Sequence, residues 1–239
     1  MIRKNDTEVF RFKQFNVNHG KVAMKVNTDG VLLGAWAEVN GAETILDIGT
    51  GTGVIALMMA QRNTNALIDA IDIDESAYLQ AKENFELSQW NLRLQVFHTA
   101  LQNFFPDAKY DIVLSNPPYF IDDFKTGNRQ KDIAKHSIAL SYHELLSGIN
   151  RLLSDKGKAY VVIPFFNYSA IQTIAAREGL FVSEVTEVMA IEGKKPYLVL
   201  LQLQRNEQPL SRTQMAIQQA SGEFTAAYIT LTKDFYLKF

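Results

Sequence analysis

Between Thr44 and Gln61 the chain reads as strand, glycine loop and helix, and no other stretch limits its possible folds so strongly. Thr44 to Ile48 is a short apolar run, Gly49, Gly51 and Gly53 form a tight turn, and Val54 opens a helical pattern. Glycines suit such a turn because the backbone must bend sharply and lie against a ligand with no side chain in the way. The pattern then repeats. Strand-like runs at Ala66 to Ile71, Leu92 to Phe97, Asp111 to Ser115 and Ala159 to Ile163 alternate with helical patterns at Glu75 to Ser88, Tyr142 to Leu153 and Ser169 to Glu178. Such alternation predicts a parallel sheet covered by helices on both faces. Two β-rich runs near the end, Phe181 to Met189 and Tyr197 to Leu203, are joined through Gly193 and Pro196 and predict an antiparallel hairpin.

In an open parallel sheet, ligands bind at the carboxyl edge of the strands. Three signals fall there. The glycine loop follows the first strand, Asp72 closes the second, and Asn116-Pro117-Pro118-Tyr119 follows the apolar run Tyr110 to Ser115. A carboxylate at Asp72 can accept both hydroxyls of a ribose, with Asp74 as the near alternative. Asn116 and the Pro117 carbonyl can accept the two N–H bonds of a planar amino group, while Tyr119, helped by Phe120, stacks on its face. The structural alternative is a turn after a strand, since Asn-Pro starts loops and Pro-Pro cannot continue a ladder.

A glycine loop with a distant acid also describes dinucleotide-binding domains. Here the pattern is Asp47-x-Gly49-x-Gly51-x-Gly53, and the β-branched Val54 stands where the dinucleotide fingerprint wants Gly or Ala. Asp47 would repel a pyrophosphate and suits a ligand with a cationic amino group. A nucleoside carrying an amino acid fits better.

These motifs resemble those of the class I S-adenosylmethionine-dependent methyltransferases that modify exocyclic or amide nitrogens. Phe10 to Phe15, Met24 to Trp36 and the closing Asp234-Phe235-Tyr236 are similar to the bacterial tRNA adenine-N6 methyltransferases acting beside the anticodon of a valine tRNA. The resemblance spans essentially the full length. It implies an α/β, Rossmann-like, mostly parallel seven-stranded sheet with an antiparallel edge hairpin. It implies one methyltransferase domain over residues 1–239, with an N-terminal segment of about 40 residues capping the site. The implied cofactor is S-adenosylmethionine and the implied partner a tRNA, methylated on adenine N6. Asn116, Pro117 and Tyr119 are the catalytic candidates. Thr28, Asp47, Gly49, Gly51, Gly53, Asp72, Ala100 and Asn116 are the cofactor contacts, and Asp29 is a further candidate at the methionine end. Thr28 and Asp29 have a structural alternative, a tight turn at Asp29-Gly30 before a core helix. After the third strand many relatives place an acid against the cofactor adenine, yet Leu101 stands there, so groups near Ala100 or the Gln102 amide must replace it. Open alternatives are methylation of a protein glutamine amide, an rRNA guanine or a DNA adenine, a non-catalytic cofactor-binding module, and a nicotinamide oxidoreductase.

Net charge is −2, which argues against a dedicated non-specific nucleic-acid binder. Local patches matter more. Arg3, Lys4, Arg11, Lys13, Lys21 and Lys25 interleave with Phe10, Phe12 and Phe15, a mixture suited to phosphates and bases, although the strand alternation equally predicts buried aromatics. A second basic group, Lys125, Arg129, Lys131, Lys135 and His136, follows the Asn-Pro-Pro-Tyr motif. Arg129 and Lys135 are its candidate substrate contacts. The chain has no Cys, and His19, His98, His136 and His143 lack ligand spacing, so no metal site is expected. With neither a signal-peptide pattern nor a membrane-length apolar run, the expectation is a cytosolic protein that does not bind membranes. No feature sets an oligomeric state, and a monomer is assumed.

Overall fold

The computed structural model describes residues 8–20, 22, 24–118 and 140–239. A short antiparallel hairpin, β1 (Val9–Arg11) with β2 (Asn16–Asn18), precedes helix α1 (Thr28–Trp36). The predicted alternation follows: β3 (Thr44–Ile48), α2 (Val54–Arg62), β4 (Leu67–Asp72), α3 (Glu75–Glu86), β5 (Leu94–His98) and β6 (Tyr110–Ser115). The C-terminal half contains α4 (Tyr142–Leu152), β7 (Leu153–Pro164), α5 (Tyr168–Arg177), β8 (Phe181–Ile191), β9 (Leu198–Gln204), β10 (Ser211–Gln218) and α6 (Ala226–Thr232).

The main sheet has eight strands in the order β10-β8-β9-β7-β6-β3-β4-β5. Strands β5, β4, β3, β6 and β7 run parallel, and β9 pairs antiparallel with both β7 and β8. The expected hairpin is therefore present, but it does not form the edge. Strand β10 adds alongside β8 in parallel, giving one strand more than the seven expected. Its first half, Ser211 to Gln214, is polar and exposed, so no apolar pattern marked it. Polar pairs attach it instead: Thr186 and Thr213 share a 2.7 Å hydrogen bond, and the buried Glu187 carboxylate accepts from Arg212 and Gln214.

Strand residues alternate between two cores, as a pleated sheet covered on both faces requires. Ile45, Ile112, Leu114, Tyr160 and Val162 face α1, α2, α6 and the N-terminal hairpin. Leu46, Val113, Ala159, Val161 and Ile163 face α4 and α5. Helix α1 lies close on α2. A Cβ at Gly34 would come within 2.6 Å of the Met58 sulfur, and Arg62 donates to the carbonyls of Gly34 and Ala37 at the end of α1.

Candidate active site

The register of the sheet brings the three predicted signals together. Ile48 lies opposite both Ile71 and Ser115, so Gly49, Asp72 and Asn116 leave three adjacent strands side by side at the carboxyl edge. Ser115 fastens two of those ends, donating through Oγ to the Ile48 carbonyl at 2.9 Å.

Gly49, Gly51 and Gly53 have φ of 70°, 57° and 81°, values that disfavour any side chain. A Cβ on Gly49 or Gly51 would meet nothing within 4 Å, which leaves an open cradle; at Gly53 it would lie 2.5 Å from the Phe85 ring. The loop is pinned from behind, because Gly49 and Thr50 both donate to the Ile71 carbonyl. Asp72 accepts from Gly51 N–H at 2.8 Å through Oδ2 and from Asp74 N–H at 3.0 Å through Oδ1. Asp74, the alternative acid, is occupied as the N-cap of α3, where it accepts from Ala77 N–H.

Asp47 is fully buried at the end of β3. Its Oδ2 accepts the Thr50 hydroxyl at 2.7 Å, while Oδ1 is buried with no hydrogen-bond partner. Burial pushes this carboxyl up to about 7, opposed by the Thr50 hydroxyl and the Ala56 N–H and reinforced by the charge of Asp72. Burial likewise raises Asp29 to about 6 and is the main cause that raises Asp72. Acids held this way favour a cation, whose charge stabilises their ionised forms.

Asn116 is half-buried after β6, with Pro117 buried and Pro118 exposed. Asn27, the N-cap of α1, places its Oδ1 2.9 Å from the Gly30 N–H and 3.5 Å from Asn116 Nδ2. The Asn116 contact is a long one, and it is made with the amide turned so that its own Oδ1 points away from Asn27. Asn27 was not among the sequence candidates; its place in a cap immediately before Thr28 was the available signal. Thr28 and Asp29 form the first turn of α1 and Gly30 lies against Asn116; the core helix of the structural alternative is present, but it begins at Thr28 with no tight turn at Asp29-Gly30. Asn84, on α3, was also missed. It donates to the carbonyls of Thr52 and Asn18 and accepts from Asn18 N–H, fastening the glycine loop to β2.

At the third strand, Leu101 is a core residue whose side chain fills the space a Cβ on Gly148 would need. Gln102 donates to Glu144 at 3.2 Å, which leaves Ala100 as the partly exposed candidate there. Tyr119, Phe120, Arg129 and Lys135, with the rest of that basic stretch, lie outside the described residues.

Of the two readings of the N-terminal aromatics, the structure supports the buried one, and no base-stacking arm is formed by Phe12 and Phe15. Phe12 and Phe15 are buried and stack at 4.6 Å, and Phe12 also stacks on Tyr236 near the end of the chain. Lys13 is committed as well: its Nζ donates to the carbonyls of Lys233 and Phe239. A shallow concavity lined by Lys13, Gln61, Arg62 and Asp234 lies at the ends of α2 and the chain, away from the carboxyl edge, and its Arg62 already caps α1. Among the described residues no helix is long and apolar enough to cross a membrane, and no cluster of His, Asp and Glu has the arrangement of a metal site.

Comparison with known proteins identifies the family. The model of the methyltransferase small domain matches residues 28–171, more than half of the chain. A tRNA1(Val) (adenine(37)-N6)-methyltransferase of Flavobacterium psychrophilum is 42% identical over 233 residues, covering 96% of this chain and 100% of that protein. The protein of the same name from Flavobacterium johnsoniae is 43% identical over 234 residues, with the same coverage. Among solved structures, one described as a predicted O-methyltransferase of Agrobacterium tumefaciens superposes with a TM-score of 0.66 over 87% of this chain and 96% of its own. At 17% identity that likeness concerns the fold.

Proposed function

Because this chain belongs to the family of tRNA1(Val) (adenine(37)-N6)-methyltransferases, we propose that it methylates N6 of adenine 37, beside the anticodon of a valine tRNA, using S-adenosylmethionine. The observation that carries this reading is the side-by-side exit of Gly49, Asp72 and Asn116 from adjacent strands, next to the orphaned buried oxygen of Asp47. S-adenosylmethionine fits these residues. Its amino group is the cation that Asp47 and Asp29 favour, its ribose hydroxyls match Asp72, and the open cradle of Gly49, Gly51 and Gly53 admits its backbone-hugging middle. Thr28 and Ala100 complete the contacts at its two ends. When bound, it supplies an electrophilic methyl group on a sulfonium.

The chain's own part is to hold the acceptor nitrogen. The N6 lone pair of adenine is delocalised into the ring, so it needs both aim and electrostatic help. Asn116 Oδ1 and the Pro117 carbonyl accept the two N6–H bonds, which favours positive charge on nitrogen. Asn27 holds the Asn116 amide in that sense. Tyr119 and Phe120 stack the base, which comes from a loop and so costs less to flip than a paired one. Arg129 and Lys135 take flanking phosphates. After transfer the extra N6 proton leaves to water. The segment of about 1–40 caps the site within one domain of residues 1–239, acting in the cytoplasm.

The test is a mixture of total tRNA, rRNA, DNA and protein incubated with methyl-labelled S-adenosylmethionine. Label in tRNA as N6-methyladenosine is expected. Label only in protein, in DNA or on a guanine would defeat the substrate assignment.

A further inference from the structure

Strand β7 continues beyond the point where its neighbour β6 releases Asn116: Ser115 pairs with Val161, and β7 runs on to Pro164. A 3-10 turn, Phe165–Asn167, follows at the same edge of the sheet. The β8–β9 turn reaches this edge too, since Leu198 pairs with both Pro164 and Val188. The two turns are joined. Phe165 N–H donates to the Tyr197 carbonyl at 2.9 Å, and Tyr197 N–H donates to the Val188 carbonyl at 2.9 Å. The β8–β9 turn is itself ordered by hydrogen bonds, with Lys194 N–H on the Ile191 carbonyl and Glu192 N–H on that of Gln218.

This rigid frame presents aromatic faces and cations to solvent. Phe166 is 72% exposed and Tyr197 39%, and Lys194 and Lys195, which precede Tyr197 in the β8–β9 turn, are exposed as well. Single exposed apolar residues are ordinary, but aromatics interleaved with lysines beside a cleft are the composition of a single-strand nucleic-acid surface. The rim also borders the site. Helix α1 packs on β9, the strand that begins directly after Tyr197, and its Gly30 lies against Asn116.

We propose that Phe166, Tyr197, Lys194 and Lys195 form a docking surface for the RNA loop that carries the target base, the aromatics stacking neighbouring bases and the lysines taking phosphates. The inference rests on the reading of this chain as a tRNA methyltransferase. Phosphate contact is needed somewhere, because the net charge of −2 repels RNA overall.

The experiment measures binding of an unmodified valine tRNA transcript across a salt series, with methylation and melting temperature in parallel. For Phe166→Ala the expected loss is about 5- to 100-fold in affinity, the scale of one base stack. Phe166→Leu, which keeps the bulk without the π-face, loses a similar amount. Replacing Lys194 and Lys195 together by Ala should reduce the log–log salt slope by about 1.5. Stabilisation by S-adenosylmethionine should match that of the wild type in each case. Wild-type methylation of tRNA combined with unchanged affinity and salt slope in the variants overturns the surface alone. Failure of the wild type to methylate tRNA, or methylation of protein instead, removes the function beneath it and the surface with it.

Discussion

A side-chain amide can present either end to a substrate, so the chemistry proposed for Asn116 depends on what fixes its orientation. The Asn27 oxygen, which caps α1 at 2.9 Å, is the neighbour placed to do this at 3.5 Å, a double role that a carboxylate can reproduce and an alanine cannot. Asn116→Ala should therefore lower the single-turnover rate by about 10²- to 10³-fold, far more than it lowers the affinity for S-adenosylmethionine. Asn27→Ala should lose roughly 10- to 100-fold in kcat through misalignment, plus about 1 kcal/mol of stability from the lost cap. Asn27→Asp restores both acceptors and should recover most of each. If Asn27→Asp regains stability and leaves kcat as low as in Asn27→Ala, the orienting role is wrong.

Elements with strong apolar periodicity were legible in the sequence, and those held by polar contacts were not. Thr44–Ile48 and Val54–Arg62 match expectation because a strand buried on both faces and a helix buried almost throughout leave little choice of residue. Strand β10 was invisible because Ser211 to Gln214 attach through hydroxyl, amide and guanidinium pairs. For the candidate site, what could be read was placement: Asp47, Asp72 and Asn116 were expected at adjacent strand ends and lie there, whereas contacts made by distant elements left no sequence signal. Asn84 is the clearest case, since in sequence it is one polar residue within a helical pattern. In the fold it satisfies two carbonyls and one N–H belonging to two other elements. Asn84→Ala would leave those buried groups unpaired, costing about 2 to 3 kcal/mol. Denaturant unfolding checks the loss, and hydrogen exchange at Asn18 should accelerate most. A change within about 0.5 kcal/mol would mean that the hairpin and the loop are held elsewhere.

Across the whole molecule, the site opposes the stability of the free chain. Asp29 and Asp47 have folded-state values of about 6 and 7 against an ordinary 3.8, so between those limits the folded chain binds more protons than the unfolded one. Their contribution to stability is complete below pH 3.8 and disappears as pH rises through 6 and 7; Asp72 acts in the same direction. Asp74 and Glu144, lowered chiefly by hydrogen bonds from serines, have the opposite sign and weaken folding as the solution becomes acidic. Both are largely exposed and contribute little. The free chain should therefore be most stable near about pH 4 and lose stability towards pH 8. Asp47→Asn should remove much of that decline, with an advantage that grows from pH 4 to 7 and then levels, reaching on the order of 2 to 4 kcal/mol. On the proposed reading the gain should come with a loss of cofactor affinity, because the amide cannot neutralise an amino group. In the wild type at pH 8, S-adenosylmethionine at about a hundred times its dissociation constant should add roughly 2.7 kcal/mol, a melting shift on the order of 5 to 10 °C. The shift should shrink as pH falls through 7 and 6 and be much smaller in Asp47→Asn, and NAD should produce none. Thermal unfolding across pH with each ligand decides the matter. An S-adenosylmethionine shift that persists undiminished at pH 5, or a shift with NAD, would show that buried carboxylates are not what the site uses to hold its ligand.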